Sequence, residues 1–141
     1  MRYIDPNNSA SKVINAAHKM TSYYLNSILC APGLNNAARD ALAIYLTELI
    51  DIEVTIIELN DLNWQRESEK KNNSGKSSIL KSTLLKPAYE IKDKVDKMAK
   101  RISVIVNTSG LFKKQRGQAV VLIKDFDIKL SGWLNYLNQL R

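Results

Sequence analysis

An all-α fold, an antiparallel up-down four-helix bundle, is predicted by three features of the sequence. Glycine and proline are scarce, 5 and 3 in 141 residues, where a sandwich or barrel would need turn residues between many short strands. Apolar residues recur at spacings of three and four along four separate segments. The connections after the first and third segments are short, which turns consecutive helices back against each other. A hydrophobic content of 45% at this length suits one core, so residues 1–141 are read as a single domain.

The first helix is predicted over about 9–29. Val13, Ala17, Met20, Tyr24 and Ile28 fall on one face, Ser9 or Ser11 is the candidate N-cap, and Pro32-Gly33 stops the segment. The second, over 36–67 and capped by Asn35 or Asn36, carries an unbroken 4-3-4-3-4-3 row: Ala38, Leu42, Tyr45, Leu49, Ile52, Ile56 and Leu59. Ala41, Leu46, Ile50 and Ile57 widen that row toward more than one neighbour, while Asp40, Glu48, Asp51, Glu58 and Asp61 take the remaining surface.

Residues 68–78 (SEKKNNSGKSS) are predicted as a flexible loop with little to bury in exchange for the entropy of ordering. Their GKSS imitates the end of a phosphate-binding P-loop. The first glycine of that motif would fall on Lys70, and no buried strand precedes it, which excludes a nucleotide loop.

A third helix over 79–106 carries Leu84, Ala88, Ile91, Val95, Met98, Ile102 and Ile105 at the same spacing. Pro87 implies a kink there or a short turn ahead of the helix proper. After a second loop (NTSGLFKKQRG), a fourth helix over 118–140 follows from Ala119, Ile123, Phe126, Leu130, Trp133, Leu137 and Leu140. Its start, QAVVLI, has the look of a buried strand, but the row continues in register far beyond strand length. Gly132 in mid-helix predicts the close approach of a neighbouring helix or of a large ring, Trp133 or Trp64.

The lone cysteine, Cys30, rules out an internal disulfide. With no export signal in the first residues and no apolar run of spanning length, a cytoplasmic protein that does not enter the membrane is expected. Charge is divided unevenly. Residues 1–69 hold 5 Lys/Arg against 9 Asp/Glu, and residues 70–141 hold 16 against 5. A half-chain this basic is suited to a polyanion or an acidic protein surface, against the plainer alternative of a merely solvated face.

Catalytic constellations are missing from the sequence. His18 is the single histidine, expected at or near the surface, so multi-histidine metal sites and zinc spacings are excluded and no cofactor is expected. Cys30 and His18 stand at opposite ends of one helix and cannot act as nucleophile and base. The Arg-x4-His motif of helical ribonucleases of the HEPN type is absent, since Val13 stands where the arginine would be. Binding without catalysis is the expectation.

The candidate binding residues are cationic. Lys94, Lys97 and Arg101 are three and four apart and form a strip on the third helix, with Lys92 and Lys100 beside it. The strip leads toward Lys113, Lys114, Gln115 and Arg116 next to Phe112. Such a surface suits phosphate backbones of RNA or DNA more than bases, because no aromatic residues interleave it. The alternative is a solvated face with Glu90, Asp93 and Asp96 paired locally.

The tyrosine-rich first helix, the proline turn followed by Arg39 and a long apolar helix, the basic third helix, and the closing SGWLNYL together resemble a known family over about residues 20–141. It is the accessory variability determinant proteins of diversity-generating retroelements, to which the four-helix proteins encoded within 23S ribosomal RNA intervening sequences are related. The resemblance implies a non-enzymatic homo-oligomer, a pentameric barrel, that binds a reverse transcriptase and its template RNA through basic surfaces. Lys94, Lys97, Lys100, Arg101, Lys113, Lys114 and Arg116 would carry that role here. The acidic second helix and the Ser/Lys-rich loop depart from the family's compact pattern. A protein-protein adaptor or structural bundle of phage or plasmid origin, without nucleic-acid binding, is the competing expectation.

Overall fold

The computed structural model describes residues 7–107 and 110–140, with side chains from Lys12 onward. Four helices, α1 (Asn7–Leu29), α2 (Asn36–Asn72), α3 (Lys81–Asn107) and α4 (Lys113–Asn138), account for nearly all of it, and no strand occurs among the described residues. The helices form a closed ring of contacts: α1 and α3 each pack on both α2 and α4. One apolar cluster fills the space between them.

α2 follows its sequence most closely. The Asn35 side chain accepts from the Ala38 N–H at 2.8 Å, capping the first turn. All seven residues of the predicted row are buried. The row then turns polar, continuing into buried Asn63 and Arg66. The helix runs five residues past its predicted end, through sequence expected to be loop. Glu67, Glu69, Lys70 and Lys71 are good helix formers, and Lys70 and Lys71 sit favourably at the negative end of the helix dipole. Only 73–80 is non-helical between α2 and α3. There the Glu69 carboxylate accepts from the Ser77 hydroxyl, the Ser78 hydroxyl and the Ser78 N–H, which holds its carboxyl below the usual range.

α1 corrects two expectations. Its buried face is Ile14, Ala17, His18, Thr21, Leu25 and Ile28, whereas Val13 and Met20, predicted inside, are 47% and 61% exposed. Both rows satisfy a three-four spacing, and packing chose the one with polar members. Thr21 Oγ1 donates to Ala17 O at 2.8 Å and lies 3.4 Å from Leu122 O on α4. His18, expected at the surface, is 3% exposed, its Nε2 2.5 Å from Leu49 O on α2 and its ring edge-on to Phe126. These bonds replace the water each group loses. α1 already includes Ser9 and Ser11, so neither is the cap; their side chains, like residues 1–6, lie outside the described residues.

α3 begins six residues before Pro87 and continues through it, which excludes a start at the proline. Its row is buried as predicted up to Ile102, after which Val106 takes the last core position and Ile105 is half-buried. α4 begins at Lys113, five residues earlier than expected, because the Phe112 N–H donates to Gln115 Oε1 at 3.2 Å, half of a capping box that starts the helix without a polar N-cap. The segments 30–35 and 110–112 meet at Gly33 and Gly110, both at φ above +80°; a Cβ on Gly110 would come within 2.2 Å of Gly33 O. Gly132 is a further correction. It is exposed and a Cβ there would meet nothing within 4 Å, so no close helix or ring requires it.

Candidate nucleic-acid interface

Lys94, Lys97 and Arg101 project from the flank of α3 that faces α2. With Tyr45, Glu48 and Met98 they line a groove of about 280 Å³ between the two helices. That is just below the about 300–1,000 Å³ typical of small-molecule sites, so it suits one compact group and not a whole nucleotide. Lys97 Nζ pairs with Asp93 Oδ2 at 3.0 Å, but both side chains are largely exposed and such a pair contributes little. Lys94 and Arg101 form no ion pair among the described residues. At the groove wall the Tyr45 hydroxyl is buried without a hydrogen-bond partner among the described residues, an arrangement that costs about 1–3 kcal/mol. Burial is the main reason its phenol titrates above the usual range; Glu48 pushes it further up, and the Arg101 guanidinium opposes both.

The structure divides the predicted cations instead of uniting them. Lys100 stands apart from this groove, close enough to Asp96 for its charge to favour that carboxylate. Lys92 is neutralised internally: its Nζ bonds Asp96 on its own helix and Asp127 on α4, the latter at 2.8 Å. Lys113 and Arg116, expected in a loop, occupy the first turn of α4 and line a second groove of about 310 Å³ with Val106, Asn107, Gly117 and Val120. No acidic residue shares that turn, so the positive end of the helix dipole adds to the two side chains. Lys114 lines neither groove. Phe112, 78% exposed, immediately precedes that turn and offers a ring on which a base could stack.

A third basic concavity escaped the sequence reading. Arg66, Lys70, Lys76 and Lys81 surround a groove of about 390 Å³ at the α2–α3 connection, with Gly75, Ser77, Ile79 and Leu80. The lysine density of KKNNSGK was its only signal. Arg66 Nε already donates to Ile79 O at 3.2 Å, and the Glu69 carboxylate near the end of α2 reaches Ser77 and Ser78 in the same connection, so much of its charge is engaged.

One polar cluster has the outward form of a catalytic relay. Ser22 Oγ lies 3.5 Å from His18 Nε2, and His18 Nδ1 lies 3.1 Å from Glu53 Oε2. Nε2 at 2.5 Å from a carbonyl oxygen can only be a donor, however, which leaves no lone pair to accept the serine proton. Nδ1 is off the hydrogen-bonding direction to Glu53. The cluster holds α1 on α2. Cys30 is exposed at the far end of α1. Among the described residues no group of three or more His, Cys, Asp or Glu could hold a metal ion, and no helix is long and apolar enough to cross a membrane. No family model, curated protein or solved structure matches the chain.

Proposed function

We propose that this chain is a non-enzymatic, nucleic-acid-associated accessory protein of the cytoplasm, an oligomer that binds the phosphate backbone of structured RNA or DNA and, as its resemblance implies, serves a reverse transcriptase. The observation that carries this is the groove where Lys94 and Arg101 present charge unmatched by any local ion pair, with Glu48 the one acid on its lining. The second cationic groove at the start of α4 extends the footprint. The scaffold is an up-down antiparallel bundle. Pairs along the helices support that course: from Thr21 to Tyr24 on α1 the bonded partner on α4 falls from Leu122 to Gln115, and from Lys81 through Tyr89 to Lys92 on α3 it falls from Asn138 to Asp127.

Fluorescence anisotropy with a structured RNA tests the role. With Lys94, Lys97, Arg101, Lys113 and Arg116 each neutralising one phosphate, affinity is expected to fall about 500-fold between about 50 and about 200 mM salt. Absent or salt-insensitive binding refutes it. One observation favours a protein-binding role instead: Ile50, Val54, Ile57 and Trp64 make an exposed apolar stripe on α2. A partner retained after nuclease treatment, with no RNA affinity, would establish that alternative.

A further inference from the structure

The α2–α3 groove contains a group that a merely solvated basic face does not need. Tyr45 belongs to the core row of α2, is 9% exposed, lines the groove with Lys94, Lys97 and Arg101, and keeps a hydroxyl without a partner buried behind that wall, where the exposed side chains of Lys94 and Arg101 must turn aside to uncover it. A phenolic O–H is a donor, and the three cations are donors too. Glu48 is the one charged acceptor on the lining, and it makes no hydrogen bond to that hydroxyl. Donors converging on a small space, with three positive charges and one negative, define an acceptor-rich anion as the missing occupant.

We propose that this groove is a subsite for a single phosphate group, bound by Lys94 and Arg101 and fixed in place by the Tyr45 hydroxyl. The subsite rests on the nucleic-acid role for the source of its phosphate, but not for its chemistry. Lys94 and Arg101 are exposed and turn onto the phosphate from either side of Tyr45, one turn of helix before and one after Lys97 and Met98. A tetrahedral phosphate offers more acceptors than a carboxylate, enough to serve two cations and the phenol together. Glu48 opposes binding through its like charge, which makes it a sensitive control.

Two probes separate the subsite from the wider role: a structured RNA hairpin, followed by anisotropy, and inorganic phosphate, followed by amide chemical shifts of the isotope-labelled protein. Tyr45→Phe leaves every charge in place and removes only the donor. It is expected to weaken RNA binding about tenfold, the value of one hydrogen bond to a charged group. Glu48→Gln is expected to tighten it about threefold, and Lys19→Gln, one charge removed from a distant exposed site, to change it less than twofold. Circular dichroism of Tyr45→Phe should match the parent, because a ring of the same shape fills the same space, and its melting temperature should rise, because a buried hydroxyl without a partner is removed. Inorganic phosphate should shift amides around Tyr45 and Arg101 in the parent and not in Tyr45→Phe. RNA binding with a steep salt dependence that Tyr45→Phe leaves unchanged overturns the subsite and leaves the nucleic-acid role standing. Phosphate binding that depends on Tyr45 without any RNA affinity supports the subsite for a free phosphate and removes the nucleic-acid role. Failure of both probes overturns both.

Discussion

Replacing Lys92 by methionine removes the cation that holds carboxylates of two helices together. The Lys92 side chain is 17% exposed, Asp127 22% and Asp96 39%. An exposed ion pair contributes about 0.2–1 kcal/mol, and deleting one partner of a fully buried pair costs about 3–5 kcal/mol. Burial here lies between those limits, so a loss of about 2 kcal/mol is expected at neutral pH, or roughly 6 °C in Tm for a chain of this size. The loss should also depend on pH. Burial raises the Asp127 carboxyl, with Asp96 adding to that push and Lys92 opposing it. Burial also acts upward on Asp96, but Lys92, Asp127 and Lys100 together hold it below the usual range. A depressed carboxyl stabilises the fold above its unfolded pKa and loses that contribution as pH falls through its folded value; a raised one stabilises below its unfolded pKa and loses the contribution as pH rises. Without Lys92 both carboxyls shift upward and repel each other when ionised. The loss should therefore be largest at about pH 7 and shrink toward about pH 3.5, as Asp127 and then Asp96 take up protons. Urea denaturation followed by far-UV circular dichroism at the two pH values measures it. Asp127→Asn, which keeps an acceptor for Lys92 and removes the like charge, should be milder at neutral pH. A loss below about 0.5 kcal/mol, or one equal at both pH values, refutes the role given to Lys92.

The two glycines of opposite environment should respond with opposite sign in calorimetry: Gly132→Ala gains up to about 1 kcal/mol of helix propensity, and Gly110→Ala, strained at φ +84 against Gly33, loses more than about 1 kcal/mol. Asn63, fully buried with both amide atoms lacking partners among the described residues, should give a more stable protein as Asn63→Leu, by about 1 kcal/mol or more in urea titration; a loss would show the amide to be satisfied. If the exposed α2 stripe joins the copies of the proposed oligomer, Ile50→Lys with Ile57→Lys should lower the sedimentation coefficient without changing the helical spectrum, because both side chains are exposed on it. An unchanged sedimentation coefficient would remove that stripe from the assembly.

The helices were legible in the sequence to the extent that their inward faces were purely apolar. The α2 row from Ala38 to Leu59 has no competitor: shifting it by one position would bury Asp51 or Glu53. α1 offered two rows of similar hydrophobicity, and the buried one contains His18 and Thr21. Its advantage comes from Leu49 O and Leu122 O on other helices, acceptors that no local pattern reveals. Helix ends were lost for a related reason. Residues 68–72 and 113–117 are polar, and polarity was read as loop. Solvent-facing lysines and glutamates are good helix formers, and both stretches are extended by caps and closures made at a distance, Gln115 to Phe112 and Glu69 to the serines at 77 and 78.

The candidate site divides along the same physical line. Spacing on one helix put Lys94, Lys97 and Arg101 together, because three-four neighbours share a face whatever the tertiary arrangement. It could not assign Lys100 and Lys92 to the other flank, since that depends on which side of α3 meets α2 and which meets α4. Nor could it distinguish a cation already neutralised from one available to a ligand. Lys92 and Lys94 are near-identical in sequence context, two positions apart among the same acids. One is held between Asp96 and Asp127, and the other opens on a groove beside a phenol with no partner. What marks the groove is a residue that charge counting ignores. The ring of Tyr45 is core, as its spacing predicts, but the residue also lines the basic groove between α2 and α3, and its buried hydroxyl has no partner among the described residues. The difference between a solvated basic face and a binding site therefore rests on a single oxygen atom, and Tyr45→Phe, which changes nothing else, is the substitution that separates them.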